Sequence, residues 1–193
     1  MATSRRDGSA SAGRAAARLP AAADRTAGRA KAAAVVGCVA LLGYASLKAH
    51  WALGGTLGVT DVAAWRAALA ALTSVERFLA FWGTVLLDAV GAVVLLGLLH
   101  RRPRTLGVPR RVWRVLAWLG ALVMGVLATT ALVVTLGPML GLWWEDPDAQ
   151  GPLAVWVFLF VYSCFAVFAL ALALTAWLTR GASQPRPPVV ADT

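Results

Sequence analysis

Apolar residues along this chain run in four long blocks, separated by short polar stretches. The blocks span about Ala32–Leu53, Ser74–Leu99, Val112–Gly137 and Pro152–Thr179. At 1.5 Å per residue, the 22 residues of the first block make about 33 Å of helix, enough for a hydrocarbon core of about 30 Å. Each block is therefore predicted to be a transmembrane helix. The punctuation between blocks is consistent with that. Gly54-Gly55 follows the first block, and Thr73 and Glu76 have capping-box spacing at the start of the second. Pro103 and Pro109 interrupt the second connection, and Gly137-Pro138 is predicted to stop the third span. Within the first connection, Asp61 is placed to cap a short helix carrying Trp65, Leu69 and Leu72 on one face. Such a helix is expected to lie in the interface plane.

Composition changes the picture from a soluble helical domain to a membrane protein. Only 14% of the 193 residues are charged and 60% are hydrophobic, whereas a soluble domain carries about 25% charged residues. Too little polar surface exists to cover a soluble fold, which excludes a soluble enzyme. The fold class read from this is all-α, an integral membrane four-helix bundle over residues 32–180. Basic residues 1–31 and Pro-rich residues 181–193 lack an apolar face large enough for a core, so both are expected to be disordered cytoplasmic tails. An Ala/Arg tail that is weakly helical on anionic lipid is the alternative for the first. The absence of Asn and Ile, with two Lys against sixteen Arg, suggests a GC-rich genome, and hence a bacterial cell membrane.

The net charge of +9 is an orientation signal. Seven Lys and Arg lie in the N-terminal segment through Lys31. Six lie in the second connection (Arg101, Arg102, Arg104, Arg110, Arg111 and Arg114), and two at the C-terminal end. Only Lys48, Arg66 and Arg77 fall on the opposite side. The positive-inside rule then places both termini in the cytoplasm. The acidic turn Glu145, Asp146 and Asp148 then faces outside. Trp51, Trp82, Trp143, Trp144 and Trp156 fall toward the outer interface, and Trp113 and Trp177 toward the inner one. The implied partner is a bilayer with anionic phospholipid at its cytoplasmic face, not nucleic acid. A homo-oligomer or a membrane-protein partner is compatible with the pattern.

Candidate chemistry is sparse. Cys38 and Cys164 make no metal-ligand spacing and read as packing residues. No P-loop, GxSxG, HExxH or CxxC occurs, so neither catalytic residue, metal nor cofactor is assigned. Asp88 stands out, because it lies near the middle of the second span, where a charge costs about 2.5–3.5 kcal/mol on insertion scales. Lys48, near the end of the first span, is its candidate partner. The i, i+4 and i+7 spacing groups Tyr44, Lys48 and Trp51 on one face, and Thr84, Asp88 and Gly91 on another. Hydroxyls of Tyr44, Thr84 and Tyr162 could complete a network around an intramembrane Lys48–Asp88 pair. The pair reads either as a clasp fixing helix register or as a proton or ion relay. His50, Trp51, Gly54 and Gly55 read as interface anchors and a turn. Ala121, Gly125 and Thr129, with Ala169 and Ala173, have the small-residue spacing that lets helices approach.

The run Gly43–Thr56, with its Trp51-Ala52-Leu53-Gly54-Gly55 core, resembles the first-span signature of uncharacterised actinobacterial membrane proteins, a family of unknown function with a Trp-Ala-Leu-Gly-Gly motif. That resemblance implies a four-span chain with a basic, Pro-containing second connection, and it implies no activity. On these grounds the chain is expected to be a non-catalytic membrane protein: a scaffold, an accessory subunit or a lipid-interacting protein. The alternative is a small oligomeric transporter or proton-coupled permease using Asp88 and Lys48.

Overall fold

The computed structural model describes the backbone of residues 7–100, 104–105, 107–140 and 151–180, with side chains from residue 24 onward except at 104–105. The described residues are helical almost throughout. Helix α1 runs Asp7–Ala52, α2 Val62–Ala71 and α3 Ser74–Phe78. A π-helical turn, Leu79–Gly83, leads without a break into α4, Thr84–Leu99. Helices α5, Arg110–Met139, and α6, Val155–Leu178, follow. Among the described residues, four stretches are long and apolar enough to cross a membrane: Asp24–Ala52, Ser74–Leu99, Arg110–Met139 and Val155–Leu178.

Three boundaries differ from the sequence expectation, each for a local reason. The N-terminal segment expected to be disordered is helical from Asp7 and continuous with the first span, because Ala and Arg are both strong helix formers. Pro138 does not stop the third span, which runs on to Met139. Within the last turn, Pro removes only one backbone donor, and the Leu140 N–H still reaches the Leu136 and Gly137 carbonyls at 2.9 and 3.2 Å. Helix α6 begins at Val155 and not at Pro152, because Pro152–Ala154 is spent on pairing with the first connection. There the Thr60 N–H donates to Pro152 O and the Ala154 N–H to Gly58 O, both at 2.8 Å, around a Val59–Leu153 bridge.

Two cap signals appear as expected from the sequence. Asp61 caps α2, its Oδ1 accepting from the Ala64 N–H at 2.9 Å. The Thr73–Glu76 capping box is complete. Arg77 donates to the Leu69 carbonyl in the last turn of α2, a cation at a helix C-terminus. In the second connection, Arg104 pairs with Pro109 and Thr105 with Val108 in a two-residue antiparallel ladder, β1 and β2, with Gly107 at φ 75°.

Helices α1 and α5 each pack along α6, and α4 closes the ring against α1 and, less extensively, α5. Two apolar clusters result. Toward the Arg110 end, Leu41, Leu95, Leu98, Trp113, Ala117, Phe168 and Leu172 form the larger one. Toward the Gly54 end, Leu47, Trp51, Phe81 and Val157 form a smaller one, covered by Trp65 and Leu69 of α2. The outer surface is also apolar: Leu42, Leu86, Leu122 and Leu170 are all more than half exposed.

Candidate functional site

Between the two clusters lies a layer that contains the chain's central polar residues. Along α1 the order is Leu41, Tyr44, Leu47, Lys48, Trp51. On the second span it is Phe81, Thr84, Asp88, Val94, and on α6 it is Val157, Tyr162, Cys164, Phe168. On the second span and on α6 an apolar cluster lies on each side of the polar positions, whereas on α1 Tyr44 lies between the clusters and Lys48 lies within the smaller one, between Leu47 and Trp51.

Asp88 is the only carboxylate among the buried described residues, at 8% exposure. Its Oδ2 has no hydrogen-bond partner. Lys48, Tyr44 and Cys164 lie within electrostatic reach of it. The direct Lys48–Asp88 ion pair expected from spacing is not formed. Lys48 Nζ instead donates to the Ala80 carbonyl at 3.3 Å, and sits 5.6 Å from the Tyr44 and Phe81 ring centroids and 5.8 Å from that of Trp51. Cation–π contacts of this kind hold a desolvated ammonium.

The physical reason is the π turn. Where helical pairing changes register, backbone carbonyls acquire new donors. The Thr84 N–H is drawn to Phe81 O, and Ala80 O accepts Lys48 Nζ together with Thr84 Oγ1 at 3.4 Å. Spacing alone reveals the two charged side chains but not a backbone acceptor on the facing helix. The run Leu79–Gly83, with Phe-Trp-Gly at its end, is the segment that forms the turn, and no pattern of apolar positions marks it in advance.

Of the expected hydroxyl network the Tyr44–Thr84 side-chain contact is present, and no hydroxyl reaches Asp88 Oδ2. Thr84 Oγ1 donates to Phe81 O at 2.8 Å, within its own helix. Tyr44 interacts with the Thr84 side chain and packs edge-on against Phe165, at 4.7 Å between centroids. Tyr162 stacks on Phe158 and borders a cavity of about 260 Å³ lined also by Thr135 and Pro138. These residues surround the Asp88 layer, and none hydrogen-bonds Asp88 Oδ2. Phe81, Trp65 and Cys164 complete the surroundings and were not singled out as part of this site by the sequence.

The turn residues act together. Gly54, at φ 88°, takes the left-handed position that ends α1. The Gly55 N–H donates to His50 O at 2.9 Å and the Gly54 N–H to Trp51 O at 3.0 Å, the two bonds of a Schellman motif. His50 Nε2 accepts from the Leu57 N–H at 3.2 Å, and Trp51 Nε1 donates to Leu57 O at 2.9 Å. Both side chains therefore pin the turn. Trp51, expected as an interface anchor, is instead buried at 4% exposure, as Trp113 is at 7%. Large rings are drawn into the bundle when their N–H finds an internal acceptor, as Trp51 does.

Of the basic loop, Arg101, Arg102 and the Arg104 side chain lie outside the described residues, as do Trp143, Trp144, the acidic turn Glu145–Asp148 and residues 181–193. Arg110, Arg111 and Arg114 belong to the first turns of α5. Arg110 Nη2 reaches the Thr179 carbonyl at 3.5 Å, Arg114 is half-buried, and Arg111 is exposed. Cys38 and Cys164 are free thiols. Compared with protein families, with curated proteins and with solved structures, the chain matches none.

Proposed function

We propose that this chain is a four-span integral protein of the bacterial cell membrane, with both termini in the cytoplasm. In this reading it acts without catalytic chemistry, as a scaffold, accessory subunit or lipid-interacting protein. One observation carries the reading: packed apolar clusters on both sides of the Asp88 layer. A conduit needs polar or open neighbours above and below such a residue, and here Leu41, Leu95 and Phe168 lie on one side and Trp51, Phe81 and Val157 on the other. The charge distribution supports the orientation, with fifteen of eighteen basic residues assigned to one side. A reporter fused at Thr193 should be active only inside the cell; activity only outside would overturn the topology.

A second reading is favoured by Asp88 itself. A buried carboxyl whose Oδ2 has no partner is a poor clasp and a suitable proton acceptor, as intramembrane carboxyls of transporters are. Under this reading a small oligomer exchanges a proton at Asp88 while Lys48 stays on the Ala80 carbonyl. Asp88→Asn then abolishes a proton-coupled flux in proteoliposomes while the protein remains folded. Unchanged membrane potential and pH traces for Asp88→Asn and the parent favour the non-catalytic, structural reading.

A further inference from the structure

We propose that the outward-facing groove between α5 and α6 binds one acyl chain of an anionic phospholipid, whose phosphate sits against Arg180. The proposal rests on the lipid-interacting reading above and names its site and ligand class. The groove measures about 400 Å³ and is apolar, with Gly125 and Ala169 on its floor and Trp118 toward one end. Residues 118 to 129 border it, a rise of about 16 Å, which matches one leaflet of a core about 30 Å thick. It is therefore long enough for the chain of a lipid in a single leaflet.

The end of the groove is cationic. Arg180 lies 4.6 Å from the Trp177 ring and 5.0 Å from the Trp118 ring, so its guanidinium is held at the mouth while remaining exposed. Arg110 reaches the adjacent Thr179 carbonyl, and Arg114 lies near Arg110 and one helical turn before Trp118. An apolar trough ending in the exposed Arg180 guanidinium is complementary to an acyl chain ending in a phosphate. Helix α5 also has the least internal cover: few residues of its most apolar stretch are buried, against about a third in α1 and α6.

A second copy of the chain fits this face less well. Both copies would cross the membrane in the same direction, so a two-fold contact through the groove sets the two Arg180 clusters at one depth, facing each other. Like charges there repel, whereas an anionic lipid neutralises them.

The test uses the full chain in detergent, titrated with phosphatidylglycerol or with phosphatidylcholine of the same acyl chains, and counts retained lipid by native mass spectrometry. One phosphatidylglycerol should be retained about fivefold better than phosphatidylcholine, the scale of one basic contact. Arg180→Gln should remove that preference, and Arg111→Gln, at an exposed position off the groove, should keep it. Gly125→Leu, which fills the groove, should lower retention of both lipids. Circular dichroism and elution volume establish folding of each variant, and Arg180 is exposed, so its replacement leaves the core intact. Equal retention of the two lipids by the parent chain, or an equal loss for Arg111→Gln and Arg180→Gln, overturns the proposal. So does a dimer abolished by Gly125→Leu with lipid retention unchanged. A chain recovered from cells without detergent would instead overturn the membrane reading itself.

Discussion

At Asp88 and Lys48, local geometry reverses what charge alone suggests. Opposite charges on facing helices ordinarily pair, and breaking a buried pair costs about 3–5 kcal/mol because one charge is left alone. Here Lys48 has an acceptor in the Ala80 carbonyl and three aromatic rings around it. Asp88 Oδ2 has no hydrogen-bond partner. The expected outcome of a double-mutant cycle with Asp88→Asn and Lys48→Met is a coupling below about 1 kcal/mol, well short of a buried ion pair. Unfolding in detergent measures it, and a coupling near 3 kcal/mol would mean that the two side chains do pair. Neither helix pattern nor i, i+4 spacing discloses Ala80 as the acceptor, because a backbone carbonyl carries no sequence signature.

Among the elements, those set by neighbouring residues are the ones legible beforehand. The Thr73–Glu76 box and the Asp61 cap involve side chains three residues from their backbone donors, so composition and spacing suffice to find them. The tie between the first connection and the start of α6 is different, since it joins residues about ninety positions apart. Gly58 is central to it: its φ is 75°, its carbonyl accepts from Ala154, and an added Cβ would run into Val157 and Trp156. Gly58→Ala combines a left-handed backbone with that clash. We expect it to destabilise the protein by about 1–2 kcal/mol, read as a lower thermal midpoint in detergent. An unchanged midpoint would show that the Gly58–Ala154 contact contributes little.

For the molecule as a whole, stability is concentrated where α1, α4, α5 and α6 converge. Leu98 is fully buried among Leu95, Trp113 and Ala117. Leu98→Ala should cost about 2 kcal/mol or more through the cavity it leaves. Replacing the two-thirds-exposed Leu42 by Ala should change the midpoint by less than about 0.5 kcal/mol. Similar losses at the two positions would contradict the packing described. The sequence by itself determined the four long apolar helices, their rough limits and the division of basic charge, because hydropathy and charge accumulate residue by residue along the chain. Only the tertiary structure decided that Trp51 and Trp113 turn inward, that Lys48 bonds a backbone carbonyl, and that Asp88 lies between two apolar clusters. Those outcomes depend on which faces of distant helices meet, and apolar faces that satisfy a bilayer equally well leave that choice to packing and to the few internal polar groups.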